Sequence, residues 1–148
     1  KEQEKRLKGL SPEKESVLDG VPRDLPALMK AYKLQKKAAK VGFDWDDIEG
    51  VFSKIEEELA ELREAVEQGQ SHEEQVLELG DLLFAASNVA RFIHADPEEA
   101  LSKTNHKFVQ RFHFIEEHLQ SQGRSISDSN LEEMERIWQL AKTQIVKK

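Results

Sequence analysis

The chain has 148 residues with no cysteine, four prolines, seven glycines and a formal net charge of −7. Its length suits one compact domain burying about 70% of its unfolded surface, while the absence of cysteine excludes a disulfide framework and a thiolate metal site. The negative charge argues against nucleic-acid binding, which takes a clustered Lys/Arg surface; with no apolar run near the roughly 18 residues of a membrane span and no signal-peptide core at Lys1 to Lys5, the expectation is a cytoplasmic protein without membrane contact.

Residues 1–23 mix charge, Ser, Gly and Pro around Leu7, Leu10, Val17, Leu18 and Val21 without a period, and are expected to form a flexible arm or linker before a domain over 24–148. A first helix opens after Pro22 to Pro26, carries Leu28, Met29, Tyr32, Ala38, Ala39 and Val41 inward and ends near Gly42. Its Lys30, Lys33, Lys37 and Lys40 read as a solvated face. In the connector that follows, acids can cap the next helix and the aromatics Phe43 and Trp45 can staple it to the bundle, Trp45 being read as a packing group rather than a base-recognition group. The second helix runs to about Gln68, stopped by Gly69, on a repeat of Phe52, Ile55, Leu59, Leu62 and Val66; Gly50 leaves its start open. The third, from about Glu73 to His94, is apolar nearly all round past Asp81 and is therefore expected to be the buried one. Asp96 caps a fourth helix that starts at Pro97, carries Leu101, Phe108, Phe112, Ile115 and Leu119 inward and stops at Gly123. A last helix follows Ser129, with Glu132 completing a capping box and Leu131, Met134, Trp138 and Ala141 facing in. Nothing alternates with period two, so the fold class is all-α, an antiparallel bundle of about five helices.

The chemistry lies in the carboxylates. Glu57, Glu58 and Glu61 form E-E-x-x-E on the second helix, and Glu78 and Asp81 form E-x-x-D on the third. At about 100° per residue either Glu58 or Glu57 lies close enough to Glu61 to share an ion. Glu58 borders the apolar stripe and Glu57 lies nearly opposite it. Glu58 and Glu61 are therefore read as ligands, with Glu57 behind them or acting as the base that activates water. Acidic runs such as Glu56 to Glu64 usually face solvent, and on this helix alone that reading would prevail. Glu78 and Asp81 change the balance, because they open the apolar helix on the face of Ala85 and Asn88, where two like charges need a compensating cation. Ala85 leaves room beside them, and Asn88 is either an outer ligand or a hydrogen-bonded core amide. Four hard oxygen donors favour Mg²⁺ or Mn²⁺ completed by water and substrate phosphates.

Other centres lack support. No histidine has Glu or Asp three residues before it, as a di-iron bundle would require, and no serine sits in a nucleophile motif. On the fourth helix Lys107 and Arg111 share one face at i, i+4, suited to phosphate oxygens, and Asn105 falls in line with Leu101, Phe108 and Phe112, where an amide needs a reason.

These residues together resemble the all-α MazG-type nucleotide pyrophosphohydrolases, whose mark is E-E-x-x-E, a spacer, then E-x-x-D. The resemblance covers about Val21 to Ala141, including Val41-Gly42-Phe43-Asp44-Trp45, Gly80-Asp81-Leu82-Leu83-Phe84, Asn105-x-Lys107-Phe108-x-x-Arg111-Phe112 and Trp138. It is most similar to the C-terminal half of bacterial MazG proteins, which hold two such domains in tandem, so a fragment or a one-domain relative is expected. The resemblance implies Mg²⁺-dependent hydrolysis of nucleoside triphosphates to monophosphate and pyrophosphate, in a homodimer or higher homo-oligomer whose helices complete the bundle. It implies metal ligation by Glu58, Glu61, Glu78 and Asp81, phosphate contacts from Lys54, Lys107 and Arg111, and Trp138 near the nucleotide. Glu57 or Glu61 would take the proton of the attacking water. Two rival readings stand beside it: a related enzyme of narrower substrate, such as dUTP or phosphoribosyl-ATP, and a catalytically silent helical module that dimerises or docks a partner.

Overall fold

The structure is a computed structural model that describes residues 15–144. Among them every regular element is helical: α1 (Ala27–Lys40), α2 (Ile48–Glu67), α3 (His72–Phe92), α4 (Pro97–Gln120) and α5 (Leu131–Gln144), with a short 3₁₀ turn at Ile126–Asp128. None of these helices is long and apolar enough to cross a membrane. Of the expected arm, the part before residue 15 lies outside the described residues. The rest makes a turn in which Asp19 accepts from the Ser16 backbone at 2.9 Å and Val21 N–H donates to the Leu18 carbonyl at 3.1 Å.

Local chemistry sets the helix ends. Gly42, Gly69 and Gly123 all have positive φ and follow helix C-termini, where a side chain would be strained. Asp47 caps α2 by accepting from Glu49 N–H at 3.0 Å, and Asp96 caps α4 by accepting from Glu98 N–H at 2.8 Å. Ser71 and Glu74 form a capping box on α3, a Ser-x-x-Glu pattern visible in the sequence and not singled out there. At α5 the expected box of Ser129 and Glu132 does not form. Asn130 accepts from Glu133 N–H at 2.8 Å, and the Ser129 hydroxyl donates to the Glu133 carboxylate at 2.6 Å instead. Gly50 is explained by its neighbour: a Cβ there would lie 2.7 Å from Trp45 Cε3, so only glycine lets the indole rest on the first turn of α2.

The chain divides into two compact units at Glu98/Glu99. In the first, α3 packs against both α2 and α1, through small buried side chains that include Ala31, Val51, Ala65, Ala85 and Ala90. In the second, Ile115, Leu119 and Ile137 form a core with Phe112, Phe114, Ile126, Met134 and Trp138 packed against it.

One expectation needs correction. α3 is not buried all round: Val76, Leu77, Leu79, Leu83 and Phe84 are 45% to 64% exposed. Two helices cover one side of a third, and they leave the other apolar side open. The first turns of α4 behave likewise, since Leu101, Asn105 and Phe108 are exposed rather than turned inward.

Candidate active site

The α2–α3 hairpin, closed by the turn around Gly69, sets the acidic groups face to face. Glu58, Glu78 and Asp81 each present an oxygen, and the three oxygens lie within 4.8 Å of one another. The i, i+3 spacing puts Glu78 and Asp81 on one face of α3, while Glu58 comes from the buried side of α2, where it is only 7% exposed. Glu58 Oε1 and Glu78 Oε1 are both buried and accept no hydrogen bond. Buried carboxylate oxygens without donors are costly, and hard oxygens around one point are the donor set of a divalent cation.

The remaining predicted acids lie around this set. Glu61 is half-buried and outside the three converging oxygens. The Glu58 charge first, then burial, then the Glu78 and Glu57 charges raise its carboxyl above the ordinary value, against Lys54. Glu57 is exposed. Lys54 bridges Glu57 at 3.2 Å and Glu58 at 3.1 Å, and its hydrogen bonds to Glu58 and then Glu57 raise its ammonium pKa despite some desolvation.

Glu58, Asp81 and Lys54 line a cavity of about 830 Å³, which Ala85 and Asn88 also border. Asn88 is buried, and its Oδ1 accepts from Arg91 Nε at 2.7 Å. Arg91 in turn holds Asp44 of the α1–α2 connector through nitrogens at 2.6 and 3.3 Å. That hydrogen bonding is the first cause that lowers the Asp44 pKa, with burial opposing it. The sequence reading did not single out Arg91 and took Asp44 only as an acid of the connector; the available signal was a lone arginine inside the apolar run Val89-Ala90-Arg91-Phe92-Ile93.

In the second unit the structure joins Arg111 to Trp138, the guanidinium carbon standing 5.3 Å from the ring centroid. Phe108 packs against the same indole at 5.5 Å. Lys107 and Asn105 are exposed.

Fold and site together define an all-α domain with an acidic group able to hold a metal ion, set in a cavity of substrate size. Residues 47–114 match the MazG nucleotide pyrophosphohydrolase domain. It is 45% identical over 118 residues to the nucleoside triphosphate pyrophosphohydrolase/pyrophosphatase MazG of Thermotoga maritima, across 80% of this chain and 45% of the relative. Over 133 residues it is 44% identical to the nucleoside triphosphate pyrophosphohydrolase of Escherichia coli K12, across 87% of this chain and 49% of the relative. The protein YabN of Bacillus subtilis, uncharacterized by name, is 49% identical over 127 residues, across 86% of this chain and 26% of its own length. The chain thus spans less than half the length of each of these relatives.

Proposed function

We propose that this chain hydrolyses nucleoside triphosphates to the monophosphate and pyrophosphate, using Mg²⁺, with Mn²⁺ as a substitute. The observation that carries the reading is the pair of donorless buried oxygens on Glu58 and Glu78, converging with an oxygen of Asp81 beside the cavity that Glu58 and Asp81 line. The names of the Thermotoga and Escherichia relatives support the same activity.

In this reading Glu58, Glu78 and Asp81 hold the ion. When bound it supplies Lewis acidity, lowering the pKa of a water and offsetting charge on the triphosphate. Glu61, half-buried beside these acids and with its carboxyl raised above the ordinary value by the Glu58 charge, takes the proton of the attacking water. Glu57 fits that role less well, being exposed and paired with Lys54. Lys54, Lys107 and Arg111 contact phosphate oxygens, the last two from one face of α4, with Asn105 a further polar contact. Trp138 steadies the Arg111 guanidinium. The open apolar side of α3 supports a homodimer, because an uncovered patch of this kind marks an association surface. A cytoplasmic setting, where nucleotides and Mg²⁺ occur together, accords with this chemistry.

The test is pyrophosphate release from each of the eight common ribo- and deoxyribonucleoside triphosphates, with Mg²⁺ and with EDTA. Asp81→Asn and Glu61→Gln are expected to abolish turnover while keeping the helical circular dichroism of the parent. Full turnover by Asp81→Asn would remove the metal assignment, and turnover of dUTP alone would replace the broad substrate range by a narrow one.

A further inference from the structure

The α1–α2 connector holds an aromatic side chain where packing gives it no reason to be. Phe43 is 82% exposed, yet it lines the cavity that Glu58 and Asp81 border. A loose phenylalanine in a short connector should fold back onto apolar surface. Here the backbone on both sides of it is held. Gly42 turns the chain at φ +96°. Asp44 is gripped by both terminal nitrogens of Arg91, which is itself anchored on Asn88. One residue further, the Trp45 indole is seated against Gly50 with no room for a Cβ.

The ring is thus presented to the cavity by three local restraints rather than by burial. Trp138 is placed differently, since Phe108 and the Arg111 guanidinium pack on its indole, which also joins the Ile115–Leu119–Ile137 core. The cavity, at about 830 Å³, falls in the range of roughly 300–1,000 Å³ typical of small-molecule sites.

We infer that the connector takes the base of the nucleotide: Phe43 stacks on its π-face beside Trp45, and Asp44, Arg91 and Asn88 are positioning residues that hold Phe43 in the cavity. The inference rests on the nucleoside triphosphate reading above. Stacking on an aromatic face tolerates every base, so purine and pyrimidine nucleotides engage this element alike.

The experiment is calorimetric titration in Mg²⁺ with three probes: ATP and UTP analogues carrying a methylene bridge between the α and β phosphorus, and inorganic tripolyphosphate. Phe43→Ala is expected to weaken both nucleotide analogues between about fivefold and a hundredfold, with tripolyphosphate affinity unchanged, and Phe43→Tyr to restore them. Arg91→Ala should shift the nucleotides the same way, and in turnover raise KM with kcat kept. The inference is overturned if Phe43→Ala binds the analogues like the parent protein, if all three probes weaken equally, or if the substitution changes only the oligomer mass. Parent protein that binds tripolyphosphate as tightly as the nucleotides also overturns it, leaving the pyrophosphohydrolase reading intact. Parent protein that binds none of the probes and releases no pyrophosphate ends both.

Discussion

Replacing Glu78 by glutamine removes one of three like charges while keeping size and shape. Its oxygen lies within 4.8 Å of those of Glu58 and Asp81. A pair of unit charges at that distance repels by about 3.5 kcal/mol at an effective dielectric of 20 and by about 0.9 kcal/mol in water. Asp81 is exposed, which puts its pair near the lower figure, and Lys54 at 3.1 Å offsets part of the Glu58 charge. The relief is therefore about 1–2 kcal/mol, and sparing a buried oxygen its charge acts in the same direction. In EDTA at mildly alkaline pH, Glu78→Gln is expected to melt about 2–8 °C above the parent protein. Thermal unfolding followed by circular dichroism measures this. In millimolar Mg²⁺ the order should reverse, because the parent protein gains the linkage stabilisation of a bound ion and the variant loses a ligand. A variant that melts lower in EDTA, or that keeps the full Mg²⁺ shift, refutes the reasoning.

Other substitutions probe the frame around the site. Gly50→Ala forces Trp45 off its seat, and the clash outweighs the gain in helix propensity: a net loss of about 1 kcal/mol is expected, with a red-shifted tryptophan emission, whereas a more stable protein with unchanged emission contradicts the seating. Arg124, at 2.7 Å from both Glu133 oxygens, and then the Ser129 hydroxyl hold Glu133 down at about 2. Since its folded value lies below the unfolded one, this clasp contributes stability above about pH 4.5 that is lost as pH falls through about 2. Glu133→Gln should flatten the melting curve across that acid window, and an unchanged pH slope tells against the clasp. Leu83, 49% exposed on the open side of α3, is expected on substitution by Glu to leave a monomer in analytical ultracentrifugation; an unchanged mass removes that face from the interface. His94 has φ +58° behind α3, and His94→Gly is expected to raise stability by about 0.5–1 kcal/mol in urea unfolding, the left-handed strain exceeding the entropy lost.

Helix order and class were legible because their causes are local. A cap and its N–H lie within three residues, and a glycine after the last turn acts on its own φ. The exception is equally local: Ser129 and Asn130 compete to cap α5, and Asn130 does so because Glu133 draws the serine hydroxyl away. The E-x-x-D of Glu78 and Asp81 was legible for the same reason, since residues three apart on a helix share a face whatever surrounds them.

From the order of residues alone it follows that this chain folds as helices and that two of them carry carboxylates on single faces. Which faces meet depends on how the helices pack. The packing of α2 against α3 brings Glu58, not Glu61, into the converging set, through a rotation about the helix axis that neither helix encodes separately. The Arg91–Asp44 tie spans 47 residues and leaves no periodic trace. The open side of α3 was hidden too, because apolar composition says that a surface will be covered but not whether the cover comes from the same chain.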